Sequence, residues 1–399
     1  LFVRGFMLKC ANIFHSDWRS LDVLDADVAV VGSGPAGSLL ALLLSKLGVN
    51  VVMLEASAHP RRKPCGEALN PGALQVLGRM GLFIEEGINR RSEPIRGWRL
   101  HYGKMMLEAA YPNRAAGIAC PRALLDDWLV HEAVKAGARI EERVRVKGLL
   151  YEGGRASGVH GRTASGTPFA VSSRFVVGAD GLGSIVAREA GLHRFGKLRK
   201  AAFTVHVSGV ERLEPLIELH LQAGLVVGLA PVGGGLANMT LGTTGKKAGR
   251  ASGRKTEFFR EAIQQLPRLA SRMESLRFED DMIACGPFDR PNAPAAGSGV
   301  LLVGDAAGYF DPLTGQGIYR AFRTAELAAP ILLEALGKNS VIPFDQYDRL
   351  VRQEFAGGTR LQRLIEYGTA HPLLFKSALR CLSMNQGLRS RLAAVIGDC

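Results

Sequence analysis

The run Gly32-Ser33-Gly34-Pro35-Ala36-Gly37 has the residue types and the spacing to cradle a diphosphate. Gly32 permits a tight turn, Gly34 lets the backbone approach a pyrophosphate, and Gly37 lets a helix pack closely on a strand. The unpaired N–H groups and partial positive charge at the start of that helix then face the phosphates. Glu55 stands where a carboxylate accepts hydrogen bonds from ribose hydroxyls, and an acid there suits an adenosine without a 2′-phosphate. FAD and NAD both meet that description, whereas NADP at this site does not.

The elements that must position these residues follow the same order. Val28-Ala29-Val30-Val31 reads as a buried parallel strand, Ser38 to Leu47 as a helix ended by Gly48, and Val49 to Leu54 as a second strand closing on Glu55. Two later segments repeat the plan of strand into turn. Phe175 to Gly178 leads into Ala179-Asp180-Gly181 and a helix carrying Arg188. Val300 to Val303 leads into Gly304-Asp305, and Pro312-Leu313-Thr314-Gly315-Gln316-Gly317 then opens a helix over Ile318 to Leu333.

With these three ordered motifs the chain resembles the FAD-dependent oxidoreductases of the p-hydroxybenzoate hydroxylase superfamily, and within it the geranylgeranyl reductase-like branch, over about residues 25–330. The resemblance implies FAD in place of NAD. It implies that Gly32, Gly34, Pro35, Ala36, Gly37 and Glu55 hold the ADP half. Asp180-Gly181 match the GADG motif that helps hold the flavin and is linked to pyridine nucleotide use. Gly304-Asp305 match the carboxylate segment on the ribitol chain, and Gly315, Gln316 and Gly317 match the loop and helix start beside the isoalloxazine. Arg122 matches the Arg of the R-x-x-L-D-x-x-L helix, which contacts the cofactor. Read by itself, a cation opening a helix stands against the helix dipole and requires an anionic partner.

Pro60 to Leu74 contains Lys63-Pro64-Cys65-Gly66 and resembles the K-P-C-G segment of that branch, which lies against the flavin. The resemblance makes Cys65 a candidate active-site group and Glu67 a supporting carboxylate. Arg62 and Lys63 beside Cys65 predict a thiol shifted toward thiolate. The alternatives are a small apolar thiol filling a tight turn and, for Glu67, a loop acid in water. One departure stands out. Val226 and Gly228, within Gly224 to Pro231, replace the aromatics of the YxWxFP pattern of prenyl-lipid reductases and the WxWxIP pattern of tryptophan halogenases. Cys65-Gly66-Glu67 stands where flavin halogenases carry a lysine.

The implied activity is reduction of a C=C bond of a hydrophobic prenyl-, polyene- or polyketide-like substrate, by hydride from reduced flavin with Cys65 as a proton source. No second GxGxxG unit is present, so NAD(P)H is expected as a transient donor. The alternative is a flavin monooxygenase acting on an aromatic or polyketide ring; halogenation and non-catalytic flavin binding stand behind it.

The expected fold class is α/β with an α+β second lobe: a Rossmann-like FAD-binding domain, an interleaved mixed or antiparallel sheet for the substrate, and C-terminal helices. The expected boundaries are an N-terminal extension over 1–24, FAD binding over 25–91, 117–195 and 285–335, substrate binding over 92–116 and 196–284, and a helical segment over 336–399. Gly97 to Leu107 and Phe203 to Ser208 alternate as half-buried strands do. His101, His206 and His220 fit satisfied or exposed strand residues better than catalysts. In the C-terminal segment Leu361, Leu364, Ile365, Leu373, Leu374, Leu379 and Leu382 line apolar faces among many Arg and Lys. That pattern suits a cap on the nucleotide domain or, more sharply, a basic amphipathic surface docking on an anionic membrane to collect a lipid.

Composition excludes other classes. A chain of 399 residues that is 47% hydrophobic can bury a large core. Its net charge of +13, from 50 Lys and Arg against 37 Asp and Glu, is spread without a dense basic block, so no nucleic-acid partner is expected. The six cysteines are far apart with no CxxC pair, which argues against a disulfide framework and a zinc site and for a reducing cytoplasm. The basic C-terminal surface adds the expectation of a place peripheral to the inner face of the membrane. No uninterrupted apolar run reaches membrane-spanning length. Oligomeric state leaves no trace in the sequence.

Overall fold

The computed structural model describes residues 23–399 apart from 89–91, 195–199, 223, 250–252, 287, 289–293, 310–313 and 339–343. Most of the expected 1–24 extension, with Pro312 and Leu313, lies outside the described residues.

The strand Val23–Val31 is the centre of a mixed sheet. Val51–Leu54 and Pro168–Gly178 run parallel to it on either side, followed outward by Arg139–Glu141 and Val300–Leu302, also parallel. Every residue of Val28 to Val31 and of Val51–Leu54 is buried, as expected of strands covered on both faces. The hairpin Val144–Glu152 and Arg155–Thr163 extends the sheet antiparallel from Pro168–Gly178. The first strand is longer than its apolar run predicts because Val23 to Ser173-paired Ala26 also ladder against the 168–178 strand. The helix Pro35–Ser45 starts at Pro35 and not at Ser38; proline is tolerated in a first turn, whose N–H lacks a helical partner anyway. It packs between the helices Arg122–Lys135 and Gly317–Gly337.

A second sheet has the strand order Arg277–Phe278, Lys200–Ser208, Leu236–Thr244, Leu225–Gly233, Ile217–Gln222, Gly97–Tyr102, Met105–Ala110, with Ile283–Cys285 also on the 200–208 strand. The block read as one alternating stretch from Gly97 is a hairpin, turning at Gly103 in the left-handed region. One face carries Phe203, Val205, Val227, Met239 and Leu241 under the helices Lys255–Gln264 and Pro267–Ala270. By alternation the other face carries Thr204, His206, Asn238 and Thr240 at one end, and Trp98, Leu219, Leu221 and Val226 at the other.

The C-terminal segment forms the helices Phe344–Ala370, Pro372–Met384 and Gln386–Gly397. Tyr347, Val351 and Phe355 of the first pack on the nucleotide-binding core, as a cap would. The last two do not: Phe375, Leu379 and Ala393 pack on the apolar end of the second sheet, with Phe375 edge-on to Tyr102 at 5.0 Å. Among the described residues no helix is long and apolar enough to cross a membrane.

Candidate functional site

The three glycine-bearing turns meet at the carboxyl ends of three neighbouring parallel strands, where α/β sheets bind ligands. Gly32 has φ +97°, and a Cβ there would stand 2.5 Å from the Ala179 carbonyl oxygen. A Cβ on Gly304 would stand 3.0 Å from the Ala36 Cβ. The turn before the first helix is thus in contact with the Asp180-Gly181 segment, and the helix's first turn with the Gly304-Asp305 segment. Gly34 differs, because a Cβ there meets only Arg61 Nη2 at 3.8 Å. It borders an open cradle beside a cation.

Glu55 is buried at the end of its strand. Its carboxylate accepts from Ser33 N (3.1 Å), Ser33 Oγ (3.2 Å), Ser57 N (3.1 Å) and Arg61 Nη2 (3.1 Å). Burial pushes this carboxyl upward, but the Arg61 charge and the two N–H groups outweigh it and hold the group below its ordinary value. Arg61 also lies 3.6 Å from Asp126 Oδ2, and its Nε is buried with no partner among the described residues. Asp180 Oδ2 accepts from Ile185 N (2.7 Å) and Val186 N (3.3 Å), while its buried Oδ1 has no partner. Open backbone at Gly34, a half-buried cation with spare donors and a half-buried carboxylate with a spare acceptor fit the diphosphate and hydroxyl groups of FAD. Arg61 escaped the sequence reading, which weighed Arg62 and Lys63; only its place in the Pro60 to Leu74 segment points to it.

Asp305 is half-buried in the turn Gly304–Ala306. Gly315, at φ +68°, and Gly317 leave open space where a Cβ would lie, so the backbone there is accessible to a flat ring. The Gln316 side chain is turned elsewhere: its Nε2 donates to Val395 O and to Asp398 Oδ1, both at 2.8 Å. Asn70 Nδ2 donates to Asp398 Oδ2 (2.7 Å) from the other side. Burial pushes the Asp398 carboxyl up to about 7. The end of the last helix is therefore pinned to the glycine-rich loop, a link between residues far apart in sequence.

Cys65 is half-buried, with Glu67 N donating to Sγ at 3.3 Å and the Arg122 charge acting on the thiol. Burial pushes the thiol up, more than Arg122 pulls it down. The expected drift toward thiolate is thus reversed, because Arg62 pairs instead with Asp280 at 2.8 Å. The anionic partner that Arg122 requires is Asp126, one turn on, gripped at 2.8 and 2.9 Å. Glu67 is no loop acid in water: it is 5% exposed, has φ +58°, and accepts from Arg122 N (2.8 Å) at the start of that helix. Its other oxygen lies 2.6 Å from His206 Nε2, and His206 Nδ1 lies 2.7 Å from Asp280 Oδ2. Asn238 Nδ2 donates to Cys65 O (3.0 Å), which fastens the segment to the second sheet.

His101 and His220 are neither exposed nor near this cluster in the sheet. They stack at 4.4 Å on paired strands, on the face away from His206, with Glu218 beside them. Donor atoms of these three lie within 4.8 Å of one another, a set that in isolation could ligate a cation. Here Arg272 grips both Glu218 oxygens at 2.6 and 3.0 Å, and the Nε2 atoms of His220 and His101 lie 3.2 and 3.8 Å from Glu218 Oε2, so the carboxylate is already occupied by a cation. The group is a buried ion pair with two imidazoles.

Residues 25–355 match the FAD binding domain family. A digeranylgeranylglycerophospholipid reductase of Methanopyrus kandleri is 29% identical over 326 residues, covering 78% of this chain and 82% of its own. A geranylgeranyl bacteriochlorophyll reductase-like protein of Thermoplasma acidophilum superposes with a TM-score of 0.73 at 22% identity, covering 95% of this chain and 93% of its own. A myxobacterial chondrochloren halogenase does so at 0.79 and 23%, covering 86% and 82%. The two structures share the fold with this chain.

Proposed function

Because the chain belongs to the FAD binding domain family, we propose that it is an FAD-dependent reductase of C=C bonds in a long hydrophobic, prenyl-type lipid. When bound, FAD supplies the two-electron chemistry, with NAD(P)H as the proposed donor. The observation that carries the reading is the thiol of Cys65, kept protonated by burial and fixed between the cofactor side and the second sheet. A neutral acid near the reacting carbon is what a C=C reduction needs from the protein. Arg122 and the Glu67 N–H stand ready to stabilise the thiolate left behind.

The lipid assignment draws support from the Methanopyrus kandleri relative's name and from the face that Val226 and Gly228 occupy. A Cβ at Gly228 would make only ordinary contact, 3.7 Å from Leu219 Cδ2, so the glycine adds no bulk to the apolar end of the sheet where Leu219, Leu221 and Trp98 cluster. Leu364, Tyr367, Leu373, Leu374 and Met384 are exposed on the C-terminal helices among Arg360, Arg363, Lys376 and Arg380. That combination supports docking on an anionic membrane from which the lipid is drawn.

The test is anaerobic turnover of the FAD-loaded protein with NADH or NADPH and a polyprenyl glycerophospholipid. A product gaining two hydrogens per donor oxidised is expected. Oxygen-18 entering a product in air, with no anaerobic reduction, would replace this reading by monooxygenation.

A further inference from the structure

The helix Gln386–Gly397 lies beyond the residues that match the FAD binding domain family, yet its end is built into the cofactor side. The last carbonyls of a helix have no partner within it. Here Ala394 O accepts from the N–H groups of Asp398 and Cys399. Val395 O accepts from Gln316 Nε2 at 2.8 Å, and Ile396 O from Asn70 Nδ2 at 2.9 Å. Asp398, at φ +49°, turns its carboxyl back so that Oδ1 meets the same Gln316 amide at 2.8 Å and Oδ2 the same Asn70 amide at 2.7 Å. Both N–H bonds of each buried amide are thus spent on this one helix end.

Both amides stand in segments that border the flavin site. Asn70 follows the K-P-C-G segment, and its Oδ1 caps the helix Pro71–Arg79 by accepting from Ala73 N at 3.0 Å. Gln316 lies between Gly315 and Gly317, where the backbone is open to a flat ring. The same helix also reaches the other lobe: Ala393 is buried on the apolar end of the second sheet, and a Cβ on Gly397 would stand 2.9 Å from the Tyr111 ring. One glycine shows how specific the fit is. Gly72 lies inside the helix Pro71–Arg79 without a left-handed φ, a place that alanine suits better than glycine. The three nearest neighbours of a Cβ there would be Asp398 Cβ and O, both at 2.6 Å, and Gly397 O at 3.1 Å, all of them in the docked helix end.

We propose that Asp398 is a positioning residue for the flavin ring: with its helix end it ties the segment after Cys65 to the loop Gly315 to Gly317, so that FAD and the docked helix stabilise each other. This rests on the reading of these two segments as walls of the isoalloxazine site. Cofactor that orders both walls favours the geometry in which both amides reach the helix. A docked helix, in turn, presents the walls at the spacing the ring requires. By linkage each strengthens the other by the same factor. The helix that covers the apolar end of the substrate sheet is in this way made sensitive to the cofactor.

Two measurements test the coupling. In the first, hydrogen exchange of the wild-type protein is followed with and without saturating FAD, with the helix Lys255–Gln264 on the opposite face of the second sheet as internal control. Exchange across Gln386–Gly397 is expected to slow by about tenfold, a usual size for coupling between two sites, while the control changes by less than about twofold. Equal slowing of both helices, or none in Gln386–Gly397, overturns the proposal. In the second, FAD affinity is measured by flavin fluorescence in Gly72→Ala and Asp398→Ala. Both are expected to bind FAD about tenfold more weakly, with Asp398→Asn in between because it keeps one acceptor. Affinities within about twofold of wild type in both variants overturn the proposal, since a residue that only stabilised the helix would leave FAD binding where it was. The exchange measurement needs no variant, so it decides the matter if either substitution does not fold. A wild-type protein that takes up no FAD defeats the cofactor reading instead, and the first titration shows it.

Discussion

A Cβ on Gly37 would stand 2.0 Å from the carbonyl oxygen of Gly32, so the helix after the diphosphate turn can start only where residue 37 has no side chain. Gly37→Ala must push the helix off the turn. It is expected to cost ~1–3 kcal/mol, as overpacking does, and to release FAD, read as lost absorbance near 450 nm per protein. Gly34→Ala has no backbone in its way. It is expected to keep the melting temperature of the FAD-free protein while weakening FAD.

Arg61 binds the buried Glu55 and faces the Gly34 cradle. Arg61→Ala is expected to weaken FAD by roughly 10- to 100-fold, the range for one hydrogen bond to a charged group, measured by flavin fluorescence. It also moves acid stability. Glu55 is held below 4.5 when folded, so its stabilisation is complete above about that pH and is lost as pH falls through the lower native value. Without Arg61 that loss should begin at higher pH in denaturant melts of the FAD-free protein.

The strand, turn and helix around Gly32 to Gly37 are legible in the sequence because they are local: a β-branched run, a glycine spacing and a proline that tolerates a first turn. The parallel strands ending on Asp180 and Asp305 are legible for the same reason. The partners of Glu67 are not. His206 lies 139 residues away on a strand whose alternation places it on a face without saying what that face meets. Nor does spacing reveal that Asp398 closes on Asn70 and Gln316, since three elements must fold before the three meet. Cys65 shows a third limit. Neighbouring cations in the sequence predicted a lowered pKa, but Arg62 turns away and burial decides the direction.

Arg272 grips Glu218, which is 1% exposed, against the stacked pair His101 and His220. Arg272→Ala leaves a buried carboxylate beside two imidazoles. A loss of about 3–5 kcal/mol is expected, the cost of orphaning one member of a buried pair, with FAD content of the surviving folded fraction unchanged. Denaturant midpoints with an unaltered m-value would bear this out.

Leu373 and Leu374 are 80% and 55% exposed. If this surface enters a membrane, each leucine contributes about 1.5–3 kcal/mol of burial. Leu373→Ser with Leu374→Ser should therefore lower co-sedimentation with phosphatidylglycerol-containing liposomes by at least tenfold, while added salt weakens wild type by screening its Arg and Lys. Equal partitioning of both proteins would remove the membrane from the proposal.

Asp398 sits between Asn70 and Gln316 with its carboxyl pushed up to about 7 from an ordinary 3.8. A raised acid binds more protons folded than unfolded between those values. Its contribution is therefore greatest at low pH, declines as pH rises toward about 7, and changes no further above that. The consequence is local, because the carboxyl pins the end of the helix Gln386–Gly397. Hydrogen exchange across that helix, corrected for its intrinsic pH dependence, should quicken between roughly pH 5 and pH 7.5. Asp398→Asn cannot ionise and keeps an acceptor for one of the two amides, so its exchange should stay flat over that range. An unchanged pH profile in Asp398→Asn would assign the effect to another group.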